Sequence, residues 1–203
     1  MGFHRWHLPG VCKAANYGPR GVVLWLLPGP RPLKYQAIVT PDGLINSLTQ
    51  HFPGPHNDWR LLIESGILPR LREIMAGQET LYLYGDPAYN SQWGILAPYQ
   101  HGGGRRFLTP QQIQFNSHLS RARIAVENAL GLVQNFFTKT GFGEALQPGK
   151  QELGAYYLVS GLFTNFLTCF RGNHVGIRFG CRHPDIFEYL GVTESREHMQ
   201  NQL

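Results

Sequence analysis

Apolar and polar positions fall into two regimes that change near Lys34. Residues 1–33 are rich in Gly and Pro and lack a clear period, apart from one apolar run, Val22 to Leu27, that reads as a short strand. From Lys34 the pattern sharpens. Tyr35 to Thr40 reads as a strand, Pro41-Asp42-Gly43 as a turn, and Leu44 to Phe52 as the second arm of a hairpin. Pro53-Gly54-Pro55 stops it. Asn57 or Asp58 starts a short helix ended by Gly66, and Leu68 to Met75 adds another helical turn or two. Thr80 to Tyr84 is a short β-rich run that puts Asp86 just past the end of a strand.

Thr109-Pro110-Gln111-Gln112 is a strong helix start, with Thr as N-cap, Pro in the first turn and Gln112 completing a capping box. Leu119, Ala122, Val126, Leu130, Val133 and Phe137 then step by three or four, the buried stripe of one long helix. Glu127 lies on the flank of that stripe, where core meets solvent. A second, largely buried helix spans roughly residues 152–170, and the stretch from Pro184 reads as short, polar and frayed. The resulting fold class is α/β: a mixed sheet with a hairpin, flanked by helices. The domain reading is an irregular basic segment (1–33), a folded domain (34–170) and a C-terminal tail (171–203).

The chain has 203 residues, 42% hydrophobic and 12% aromatic, enough for one domain with a core. Its net charge of +5 is local. Residues 1–41 carry five basic side chains (Arg5, Lys13, Arg20, Arg31, Lys34) and no acid, whereas the remainder is balanced. Within the remainder, Pro87 to Val126 holds Arg105, Arg106, Arg121 and Arg123 and no acid, a basic stretch suited to a phosphate backbone. The competing reading is solvated surface arginine. Three cysteines cannot make a disulfide framework and fit a reducing compartment. The opening residues carry no signal-peptide core, and no apolar run is long enough for a membrane span, so a soluble intracellular protein is expected.

Metal-dependent phosphoryl chemistry needs clustered carboxylates, which hold Mg²⁺ or Mn²⁺ against the attacking and leaving oxygens. Asp86 and Glu127 occupy positions that can converge in this way. The segments KYQAIVTPDGLI, FPGPHNDWRLLIESGI, LYLYGDPAYN, LAPY and FNSHLSRARIAVENALGLVQ resemble the Harbinger-type (PIF/Harbinger) transposases, a branch of the DDE superfamily endonucleases. The resemblance runs from about Lys34 to about Asn165 and rests on an ordered set: Gly-Asp-x-x-Tyr after a strand, an Asn before a helix, and Arg-x-x-x-Glu with a following Gly.

The resemblance implies an RNase H-like fold, DNA as substrate, divalent Mg or Mn as cofactor, and hydrolysis and strand transfer at phosphodiesters. It also implies a nuclear site of action, with the cytoplasm as a second compartment, and a separate DNA-binding partner protein. Asp86 matches the family's second acid and Glu127 its third, both as catalytic and metal-binding residues. The first acid belongs on a strand upstream of YQAIVT. No Asp or Glu precedes Asp42, so that acid is absent. Asp42 falls in the turn after the next strand and is a poor substitute. The first strand is therefore expected to be missing or degenerate, and strand cleavage to be lost or very weak.

Each site residue also has a plainer reading. Asp86 can cap its loop, Glu127 can pair with Arg123 one helical turn earlier, Asp58 can act as an N-cap, and Tyr89 can serve as packing. Cys169, His174, Cys181 and His183 carry zinc-ligand chemistry, but their spacing fits no compact finger; buried Cys and surface His are the default. The leading expectation is a transposase-derived, divalent-metal-binding nuclease-like protein, catalytically impaired. The alternative is a non-catalytic DNA-binding or scaffold protein. A decayed fragment that folds poorly is a third reading.

Overall fold

A computed structural model describes residues 3–4, 21–28, 33–49, 52–53, 58–76, 82–89, 91, 94–100, 107–137 and 153–192. The strands are β1 (Phe3–His4), β2 (Gly21–Pro28), β3 (Leu33–Val39), β4 (Ile45–Leu48), β5 (Phe52–Pro53), β6 (Tyr82–Tyr84) and β7 (Ile95–Leu96). The helices are α1 (Asp58–Glu64), α2 (Ile67–Met75), α3 (Pro110–Phe136), α4 (Leu153–Arg171), α5 (His174–Phe179) and α6 (Ile186–Leu190). All strands join one mixed sheet in the order β1-β4-β3-β2-β6-β7, with β5 paired to β3. β2, β3 and β4 are antiparallel neighbours, while β6 and β7 run parallel to β2. The mixed α/β expectation is met.

Alternation along β3 sends its side chains to two different cores. Tyr35, Ala37 and Val39 join Ala122, Ala129, Leu130 and Val133 of α3, Tyr157 of α4, and Val175 and Phe179 of α5. Ile38 points the other way, to Leu61, Leu62, Ile67, Leu68 and Leu71 of α1 and α2 and to Leu83 and Ile95 of β6 and β7. Helices therefore cover both faces of the sheet. A register shift between Ile38 and Val39 puts Ile45 opposite Val39 and Leu48 opposite Ala37, so Ile45 and Leu48 both reach the α3–α4 core despite their spacing. Beside this irregularity Asn165 of α4 acts as a surrogate strand. Its Oδ1 accepts from the Ile45 N–H at 2.9 Å, and its Nδ2 donates to the Ile45 carbonyl at 2.8 Å and to the Tyr189 hydroxyl at 3.0 Å.

Three features depart from the sequence reading. A first strand was expected to be missing or degenerate; β2, eight residues long, stands between β3 and β6 in the middle of the sheet. Its apolar sequence suits a central strand, and it carries no acid. The segment 1–33 is therefore not wholly irregular. Residues 171–192 were read as part of a tail, yet they form α5 and α6. Each is short and depends on caps and docking. Asn173 accepts from the N–H groups of Val175 and Gly176, Asp185 from those of Phe187 and Glu188, and Gly180 and Gly191 close the helices with φ of 63° and 71°. Tyr189 of α6 packs with Leu44 and Cys169. Among the described residues no helix is long and apolar enough to cross a membrane.

Candidate functional site

Asp86 follows β6 directly and is half-exposed. Its loop is tightly organised. The Gly85 N–H donates to the Leu96 carbonyl at 2.9 Å, and a Cβ on Gly85 would lie 3.0 Å from the Tyr89 ring, so glycine is required by close approach. Asp86 Oδ1 accepts from the Ala88 N–H at 2.7 Å. One carboxylate oxygen thus caps the loop, as the plainer reading has it. Oδ2 has no protein partner among the described residues.

Tyr89 is buried, and its hydroxyl accepts from Gln36 Nε2 at 3.1 Å. Burial pushes its hydroxyl far above the ordinary range; the Gln36 bond opposes this, and the nearby carboxylates of Asp86 and Asp58 add to it. The phenol therefore stays neutral and works as a tether, joining the Asp86 loop to the middle of β3. The sequence reading assigned Tyr89 to packing, which holds for its ring and leaves out its hydroxyl. It passed over Gln36 altogether, although an amide inside the apolar run Tyr35–Val39 was the available signal. Asp58 is the first residue of α1, where a carboxylate suits the positive helix end.

Thr109 and Gln112 form the expected capping box. Asn116 sits in the second turn of α3. Its Oδ1 accepts from the Tyr99 N–H and its Nδ2 donates to the Tyr99 carbonyl, both at 2.9 Å. Tyr99 also packs edge-on against Phe115. The next residue, Gln100, donates its side-chain amide to the carbonyl of Pro87, beside Asp86. A chain of contacts thus runs from the Asp86 loop through Gln100 and Tyr99 to the helix that carries Glu127.

Glu127 is exposed on α3, with Oε1 3.7 Å from Arg123 Nη2. The ion pair of the plainer reading exists; at such exposure it contributes only about 0.3–0.5 kcal/mol. Ala122 and Ala129 bracket Glu127 on the helix and face the core cluster against which Tyr84, two residues before Asp86, is packed. The fold therefore joins the strand of Asp86 to the helix of Glu127. Among the described residues no group of three His, Cys, Asp or Glu side chains is arranged to hold a metal ion. That finding covers Cys169, His174 and His183 as well; Cys181 is in a disulfide, which removes it as a thiolate ligand and departs from the expectation of reduced cysteines.

Asp42 lies in the β3–β4 turn. Because β3 runs antiparallel to β2 and β6, this turn is at the end of the sheet opposite Asp86. Its Oδ1 accepts from Thr40 Oγ1 at 2.6 Å and the Leu44 N–H at 3.1 Å. Burial pushes its carboxyl above the ordinary value, against these hydrogen bonds and the charge of His183. It braces the turn and is no replacement for the absent first acid. Of the basic candidates, Arg121 is exposed and Arg123 half-buried on α3; Arg105 and Arg106 lie outside the described residues.

Compared with models of known families, residues 30–160 match the family described as DDE superfamily endonuclease. No curated protein and no solved structure matches the chain.

Proposed function

Because the chain belongs to the DDE superfamily endonucleases, we propose that it is a Harbinger-type, transposase-derived DNA-binding protein with an RNase H-like core whose strand cleavage is lost or very weak. The observation that carries this reading is the central strand β2. It stands where a first catalytic strand belongs, yet Gly21–Pro28 contains no carboxylate. Three antiparallel strands followed by two parallel ones, with that strand in the middle, support the RNase H-like reading.

DDE superfamily endonucleases generally use divalent metal ions. Asp86, with one oxygen unpartnered among the described residues, and Glu127, exposed on its helix, are hard donors suited to Mg²⁺ or Mn²⁺. As two carboxylates they are the donors we assign to a single, weakly held ion. They do not fit a two-ion clamp, which needs a further carboxylate to bridge the metals.

The remaining chemistry is recognition. Arg121 and Arg123 lie on α3 within the acid-free stretch Pro87 to Val126, and the loop that supports Asp86 is wired to the same helix. Phosphate contacts from arginine give affinity that falls steeply with salt. The nucleus is the expected site of action. The test is fluorescence anisotropy with duplex DNA over a salt series. Binding should weaken with salt, survive Asp86→Asn and Glu127→Gln, and fall in Arg121→Gln with Arg123→Gln. Binding that is insensitive to salt and to these arginines would contradict the reading.

A further inference from the structure

The C-terminal ends of α3 and α4 and the start of α5 leave an open cavity of about 410 Å³. Its floor is apolar, built from Phe136, Leu167 and Ile177. Among the described residues its rim carries Arg171 and His174, and no acid lines it. The Arg171 guanidinium stacks on Phe136, 4.6 Å from the ring centroid. Among the described residues it makes no ion pair with a carboxylate. Ile177 is 78% exposed, and Phe170, next to Arg171, is 71% exposed. The inward side of α5 is supplied by Val175, Gly176 and Phe179, and the Ile177 side chain is not part of that buried face. Large exposed apolar groups gathered round a concavity mark interaction sites.

We propose that this cavity docks a protein segment carrying an apolar side chain beside a carboxylate, as an acidic amphipathic helix does. Charge complementarity selects that occupant. An apolar side chain fills the floor, and the carboxylate meets a guanidinium already held in one plane by Phe136, so little further ordering is needed. Arginine beside aromatic residues in a pocket is also the composition of binding hot spots. Duplex DNA would use the arginines but gain nothing from Leu167 and Ile177.

The probe is a labelled amphipathic peptide of about 15 residues, with Leu and Glu alternating along one helical face at three- and four-residue spacing. It is titrated with the full chain and followed by anisotropy. Saturable binding is expected, weakened at least about tenfold by Ile177→Asp, by Arg171→Gln, and by Lys in place of Glu in the peptide. Both substituted positions are solvent-exposed, and unchanged circular dichroism confirms that the variants fold. No binding up to about 1 mM, or equal binding of the Lys peptide, overturns the proposal. A dimer that Ile177→Asp dissociates would assign the face to a second copy. Loss of duplex DNA binding in that variant without peptide binding would assign it to nucleic acid. Either result also overturns the proposal.

Discussion

Asn116 grips the backbone of Tyr99 with both ends of its amide, at 2.9 Å each, and so fastens the loop after β7 to the long helix α3. Asn165 does the same for Ile45 from α4. The two clamps differ in burial: Asn165 is fully buried, whereas the Asn116 pair is solvent-exposed.

That difference sets their energies. Asn116→Ala should cost about 1 kcal/mol, because water replaces the lost bonds. Asn165→Ala should cost about 3 kcal/mol or more, because buried groups of Ile45 and Tyr189 are left without partners. Urea denaturation of the two variants gives the comparison, and equal losses would contradict the burial argument.

Tyr89→Phe removes the hydroxyl that holds Gln36 Nε2. A buried amide donor is then stranded, for a loss of about 1–3 kcal/mol. Gln36→Leu removes the other partner. The double variant should lose less than the sum of the two, since no orphan remains. Strict additivity in a double-mutant cycle would show that the tether does not couple the Asp86 loop to β3.

Asp42 gives a pH signature. Its carboxyl is raised above its ordinary value of 3.8 in the folded state, chiefly by burial. The folded protein thus holds that proton more tightly than the unfolded chain. The stability it contributes is fully present below the unfolded pKa and is lost as pH rises through the folded one. Asp42→Asn keeps an oxygen for Thr40 and Leu44 but does not titrate. The stability of the variant relative to the parent should therefore increase from pH 3 to pH 7 (roughly the carboxylate range). A flat or falling difference contradicts the assignment.

A single weak ion between Asp86 and Glu127 predicts a small effect of metal. Mn²⁺ at about ten times its dissociation constant should stabilise the protein by only about 1.4 kcal/mol. Glu127→Gln should abolish that gain. An unchanged gain in this variant would remove Glu127 from the metal site.

Much of this was legible in the sequence where the signal is local. The capping box at Thr109 and Gln112, the turn at Pro41-Asp42-Gly43 and the Arg123–Glu127 pair depend on neighbours within a few residues. The apolar run in β2 was also legible, but its place in the sheet was not. That place is set by parallel pairing with β6, about sixty positions away, which no local pattern encodes. The Tyr89–Gln36 and Asn116–Tyr99 contacts were hidden for the same reason. α5 and α6 escaped because five or six residues carry no period; their caps at Asn173, Gly180, Asp185 and Gly191 were the readable trace.

The central claim is that an intact central strand without a carboxylate leaves the fold and removes the cleavage. Plasmid nicking in Mg²⁺ or Mn²⁺, with the parent chain beside Asp86→Ala, tests it most directly. The account predicts that both proteins leave supercoiled DNA intact at the level of a no-protein control. Robust nicking by the parent chain that disappears in Asp86→Ala would contradict it.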